Sequence, residues 1–198
     1  MIDWLKNINK NSPDFWREYI SKFGKKSNRY VVLSTKSSGL NPKKDVIFSF
    51  GAISIIDNSI HLGELFEVTI PQYKFIHDND LSSDFLLESE QPKLSEPQAI
   101  EKLIEFIENA TLIGYRIHFL VEMINNALEN LLCGRLKNEA LDIEVMHKKL
   151  NDINNGSFTI EQLVTFYKIP ASEGTSTTDE AYTLALLFLK LKSKLHLQ

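Results

Sequence analysis

From Tyr30 onward, short apolar runs separated by polar breaks predict strands first and helices later. Tyr30 to Leu33, Val46 to Ile56 and Ile60 to Ile70 are rich in β-branched and aromatic residues and read as strands, with a turn at Asn58 and Ser59 joining the last two. Beyond them the period changes. Ile100, Leu103, Ile104 and Ile107 share one helix face behind a capping box of Ser95 and Gln98. The apolar stretch Thr111 to Gly114 predicts a fourth strand, Phe119 to Leu132 a helix, Ala140 to Ile143 a fifth strand and Glu144 to Leu150 another helix. Thr159 and Gln162 form a second capping box, with Phe158 and Leu163 at the positions of a hydrophobic staple, and Thr178 to Leu195 reads as a last helix. This order predicts an α/β domain with a mixed sheet whose first three strands form an antiparallel meander flanked by helices.

Two short helical patterns precede the strands, the second with Ser12 as N-cap, Pro13 at the first helical position and a stop at Gly24. Its face of Phe15, Trp16, Tyr19, Ile20 and Phe23 must be buried, either on the domain or on a partner. A polar linker at Lys25 to Arg29 follows. The predicted division is a helical extension over residues 1–28 and a domain over residues 29–198.

With 198 residues, 43% of them hydrophobic and 24% charged, the chain suits one globular domain with a sizeable core. A net charge of −4 gives no global attraction for polyanions, so any contact with nucleic acid has to come from a local basic patch. The single cysteine, Cys133, excludes an internal disulfide and a multi-cysteine zinc site. No apolar run approaches the ~18 residues of a membrane span, and the N-terminus has no apolar core of a signal peptide, so a cytoplasmic location without membrane contact is expected.

Candidate chemistry lies in three stretches: YVVLSTKSSGLNPKKDVIFSFGAISI, LIGYRIHFLVEMINNAL and STTDEAYTLALLFLKL. In this order and at this spacing they resemble the three motifs of the DnaQ-like 3′ to 5′ exonucleases, a family with a ribonuclease-H-like fold. The resemblance covers about Arg29 to Lys192. In that family the first strand ends in Asp-x-Glu before Thr-Gly-Leu. The second motif reads Gly-His-Asn with an aspartate just after a Phe, and the third has a His and, five residues on, an Asp. A working member uses two divalent cations, Mg2+ or Mn2+, held by these carboxylates to activate water against a phosphodiester.

Matched position by position, the family's acids and His fall on Ser34, Lys36, Leu120, Thr175 and Glu180. One acid remains. The resemblance therefore implies a degenerate site with no catalytic residue set intact, no metal and no cofactor. Losing even ~4 pK units of water acidification would be worth about 5 kcal/mol, roughly four decades in rate. The missing His removes the general base as well.

Each position also has a plainer reading. Ser34, Thr35, Ser37 and Ser38 suit a strand end and turn. Thr177 and Glu180 have the spacing of a capping box. Leu120 suits a helix packed under the sheet. Lys36 reads either as an ammonium that replaces the metals by pairing with Glu180 or as a solvated surface lysine. Asp45, His118, Glu122, Asp142, His147 and Asp179 are candidates for a rebuilt catalytic set, although Asp142 is placed to cap the following helix and His118 with Glu122 to form a surface pair. The acidic run His77 to Asp80 lacks the ligand spacing of a calcium loop.

What the resemblance leaves in place is a binding surface: Thr35, Ser38, Gly39 and Leu40 keep the shape of the family's Thr-Gly-Leu segment, with Arg116, Lys36, Lys43 and Lys44 as nearby cations. The expected function is a catalytically inactive exonuclease-fold module that binds a nucleotide or single-stranded nucleic acid, or that binds a protein partner through Trp4, Phe15, Trp16 and Tyr19. A homodimer closed by the same aromatic helices is a further expectation. The alternative is an active metal-dependent 3′ to 5′ exonuclease on DNA or RNA with a rebuilt site.

Overall fold

The computed structural model describes residues 12–39, 41–72, 91–170 and 174–197. Its elements are α1 (Asp14–Lys22), β1 (Tyr30–Ser37), β2 (Ile47–Ile56), β3 (Ser59–Thr69), α2 (Glu96–Ile107), β4 (Thr111–Gly114), α3 (Ile117–Asn130), β5 (Ala140–Asp142), α4 (Ile143–Leu150), α5 (Ile160–Tyr167) and α6 (Thr177–Lys194). The strands form one sheet in the order β3-β2-β1-β4-β5. β1 pairs antiparallel with β2, and β2 with β3. β4 runs parallel to β1, and β5 to β4. This is the mixed sheet that the sequence pattern predicts.

Successive strand residues point to opposite faces, which builds two cores. Val31 and Leu33 of β1, Phe50 and Ala52 of β2 and Leu112 of β4 pack with α1, α2 and α3. Val32, Ile53, Ile55 and Ile113 pack on the other face with α4, α5 and α6, where Phe188 and Leu184 are buried. Both capping boxes predicted for α2 and α5 are present.

Three boundaries differ from expectation in ways that matter. β1 runs on to Ser37, because Ser34, Thr35 and Lys36 pair with Gly51, Phe50 and Ser49 of β2 and are strand rather than turn. α3 begins at Ile117, two residues before the expected Phe119, since the Asp142 carboxylate accepts from Ile117 N at 2.9 Å and caps it from β5. α6 is capped by Ser176 with Asp179, one residue before the expected Thr177 and Glu180 pair.

The aromatic face of α1 is buried within the molecule. Trp16 and Tyr19 are 4% and 3% exposed, and the Tyr19 hydroxyl donates to Asn138 Oδ1 at 2.6 Å and accepts from Lys137 N at 2.8 Å. Of the residues expected to face a partner, Trp16 and Tyr19 pack into the core of the chain itself, while Trp4, Leu40 and the acidic run at residues 77–80 lie outside the described residues. Among the described residues no helix is long and apolar enough to cross a membrane.

Candidate functional site

Ser34 and Lys36 are two apart on β1 and follow Val32, so they share the sheet face that packs on α6. α6 reaches that face because Gly51 of β2 has no side chain. A Cβ there would lie 2.5 Å from Thr178 N and closer still to Thr177 backbone atoms, so only glycine lets the start of the helix touch the strand. The glycine between Phe50 and Ala52 in β2 is therefore a packing requirement of this corner.

A carboxylate from the third strand pins the same helix start. Glu67 Oε1 accepts from Thr177 N at 3.0 Å and Thr177 Oγ1 at 2.9 Å, and its Oε2 accepts from Thr178 Oγ1 at 2.9 Å. An anion is favoured there by the unpaired N–H groups and the helix dipole. With Thr177 taken by Glu67, Ser176 becomes the cap: Ser176 N donates to Asp179 Oδ2 at 3.2 Å, and Asp179 N to Ser176 Oγ at 3.1 Å. Glu180 is thereby released from capping and turned to β1.

At the β1–α6 seam, the Lys36 ammonium donates to the Thr175 carbonyl oxygen at 2.7 Å. Burial lowers its pKa, and the attraction of Glu180, Glu67 and Asp179 opposes that shift. Burial raises the pKa of Glu180, while the Ser34 hydroxyl and the Lys36 ammonium favour its charged form. Ser34 is 3% exposed, and its Oγ makes no hydrogen bond of ordinary geometry although it faces Glu180 closely enough to act on its charge. Lys36 is thus turned into the seam rather than to bulk water. The structure brings Ser34, Lys36, Thr175 and Glu180 together; Leu120 instead packs with Leu33 and Ile124 in the core on the opposite face.

The loop after β1 is organised by Asp45. Its Oδ1 accepts from Ser38 Oγ at 2.9 Å and its Oδ2 from Asn41 N at 2.6 Å, and a Cβ on Gly39 would lie 2.6 Å from that Oδ2. Thr35 Oγ1 donates to the Ser49 carbonyl at 2.8 Å. The hydroxyls of Thr35 and Ser38 are therefore engaged within the chain. Arg116, in a left-handed conformation with φ 51°, donates from Nη2 to Ser157 Oγ at 3.1 Å and is drawn to the loop between α4 and α5.

The candidates for a rebuilt set are dispersed. Glu122 pairs with Arg135, and His118 is exposed. Asp142 caps α3 and α4 at once, its Oδ1 accepting from Glu144 N at 2.9 Å. His147 is buried with Nδ1 2.8 Å from the Tyr167 hydroxyl. Among the described residues no three His, Cys, Asp or Glu side chains gather to hold a metal ion. A hydroxyl, an ammonium and Glu180, beside a Glu67 and an Asp179 whose oxygens hold the start of α6, do not fit two dications, which want several oxygen ligands and charge compensation. The sequence did not single out Glu67, whose only signal is an acid in a strand facing the glycine of its neighbour.

No protein-family model matches the chain. In sequence it is similar to the PolC-type DNA polymerase III of Ureaplasma parvum serovar 3 (strain ATCC 700970), 27% identical over 124 residues that cover 62% of this chain and 8% of that protein. In structure it is similar to E. coli exonuclease I in complex with a dT13 oligonucleotide, with a TM-score of 0.65 and 15% identity over 85% of this chain and 42% of that one. The ExoI/SSB-Ct complex gives a TM-score of 0.64, also at 15% identity, over 85% of this chain and 42% of that one. The fold is that of the DnaQ-like exonucleases, ribonuclease-H-like in class. The chain spans less than half the length of the exonuclease I chains it matches and less than a tenth of the polymerase.

Proposed function

We propose that this chain is a catalytically silent exonuclease-fold module, which binds nucleic acid or a protein partner and does not hydrolyse phosphodiesters. The observation that carries this reading is Lys36. Its ammonium stands where the family has a metal-binding glutamate and is turned inward onto the Thr175 carbonyl, facing Glu180. A fixed cation at that point repels a dication and offsets the pull of Glu180, the acid that faces it from the family's last carboxylate position.

The other acids near the seam support the same reading because their oxygens are engaged: Glu67 holds Thr177 and Thr178, and Asp179 holds Ser176. The missing general base and the burial of Leu120 point the same way. The likeness to exonuclease I with a bound oligonucleotide motivates nucleic acid as one ligand class.

Titration calorimetry of the chain with Mn2+ tests the reading. The expected result is no saturable heat up to millimolar metal in the wild type. Saturable uptake that Glu180→Ala abolishes, together with cleavage of single-stranded DNA or RNA, would instead favour an active exonuclease with a rebuilt site.

A further inference from the structure

At the end of the sheet away from the β1–α6 seam, where β1 and β4 begin and β2 turns into β3, lies a groove of about 710 Å3. Tyr30 in its wall is four residues before Ser34 on the same strand, which places the two regions roughly 13 Å apart or more. Five cations line it: Lys25, Lys26, Arg29, Lys137 and Lys192. Its carboxylates are Asp57 and Glu139. In a chain of net charge −4 this is a local reversal of sign, and a concave wall focuses the resulting field.

The cations differ in how they are held. Arg29 is fixed and paired: Nη1 donates to the Phe106 carbonyl at 2.6 Å, Nη2 to Ser54 Oγ at 2.6 Å and lies 3.8 Å from Glu64 Oε2, and the guanidinium lies 4.9 Å from the Phe106 ring centroid, so the net positive charge of the groove comes from its lysines. Lys192 donates to Asn58 Oδ1 at 2.8 Å and sits over Tyr30, so its charge is oriented without being neutralised. Lys25, Lys26 and Lys137 are exposed and, among the described residues, within ion-pair distance of no carboxylate. Mixed-sign surfaces normally pair such residues with acids; here they converge on one depression.

We infer that this groove is a binding site for the phosphate backbone of a single-stranded nucleic acid, separate from the β1–α6 seam. Its volume is in the range of about 300–1,000 Å3 that suits nucleotide-sized ligands. Phe23 and Tyr30 stand among the cations with their rings packed on Tyr19 and Phe188, and Asn28 adds an amide group that both donates and accepts. Base edges both donate and accept and so can use both ends of an amide, whereas the carboxylates of Asp and Glu only accept. The lining therefore favours nucleic acid over an acidic peptide. The inference does not require the seam to be silent or active.

The test is fluorescence anisotropy of the full chain with a labelled oligothymidylate of about 15 nucleotides. Saturable binding is expected, weakening with salt at about 0.7 log units per log unit for each phosphate neutralised. The Lys25→Glu/Lys26→Glu/Lys137→Glu variant should bind at least ten-fold more weakly with an unchanged circular dichroism spectrum, while Lys36→Ala and Glu180→Gln should bind as the wild type does. Equal binding by the triple variant, no saturable binding by the wild type, or displacement of the oligonucleotide by an equimolar poly-Glu peptide would each overturn the inference. Loss of binding in the Lys36 and Glu180 variants alone would place the ligand at the seam and overturn it too.

Discussion

Glu67 on β3 and Thr177 at the start of α6, 110 residues apart in sequence, are joined by two hydrogen bonds to one carboxylate oxygen, from the Thr177 N–H at 3.0 Å and its hydroxyl at 2.9 Å. The bond from Thr178 Oγ1 to the other oxygen completes a clamp that sets where α6 begins and hence where Glu180 points. Glu67→Ala strands these donors next to a Thr177 that is 1% exposed. The expected cost is about 2–3 kcal/mol, with Glu67→Gln costing less because one oxygen still accepts. Urea unfolding of the two variants checks both the size and the order.

Gly51→Ala tests the contact beneath that clamp. The added methyl would meet Thr177 and Thr178 backbone, which cannot swing aside as a side chain can. Destabilisation of about 3 kcal/mol or more is expected, read as a fall in the thermal midpoint. A midpoint within a degree of wild type would show that α6 does not need to touch β2 there.

Lys36→Ala removes a partly exposed ammonium from the Thr175 carbonyl and from the field at Glu180. Solvent screening limits the loss to about 1 kcal/mol. Burial already raises the Glu180 pKa, and without the cation it rises further, which carboxyl titration by NMR would detect as a shift to higher pH.

His147 sets an acid limit on stability. It is 1% exposed, ringed by Phe158, Phe166 and Tyr167, and burial holds its pKa below the ordinary value; Glu144 raises it and Lys148 lowers it further. The unfolded chain then binds the proton more readily than the folded one. Stability contributed by the neutral ring is present above pH about 6.5 and falls as the pH drops toward the lowered folded value. Urea midpoints between pH 7.5 and 5 should decline more steeply in the wild type than in His147→Gln.

Much of the fold was legible because β2, β3 and α2 carry long, clean periodicities and unambiguous caps. The polar end of β1 was not, since Ser34 to Ser37 carry turn-forming side chains and only pairing with β2 makes them strand. At the start of α6 the spacing points to Thr177 and Glu180, whereas Ser176 and Asp179 form the box because Glu67 takes Thr177, a tertiary contact that no local pattern contains. At the seam, Ser34, Lys36, Thr175 and Glu180 were found by motif position, and the structure gathers them. The hydroxyls of Thr35 and Ser38 bond Ser49 and Asp45, because hydroxyls in a tight loop satisfy the nearest backbone and carboxylate. The basic groove has no signature in the sequence, because Lys25, Lys26, Lys137 and Lys192 meet only on folding.

The account turns most on whether the seam cuts. Single-stranded DNA and RNA carrying a 5′ label, incubated with the chain and millimolar Mn2+, should keep their full length at the rate seen without protein. A ladder of shortened products that vanishes in Glu180→Ala would contradict the proposed silence of this site.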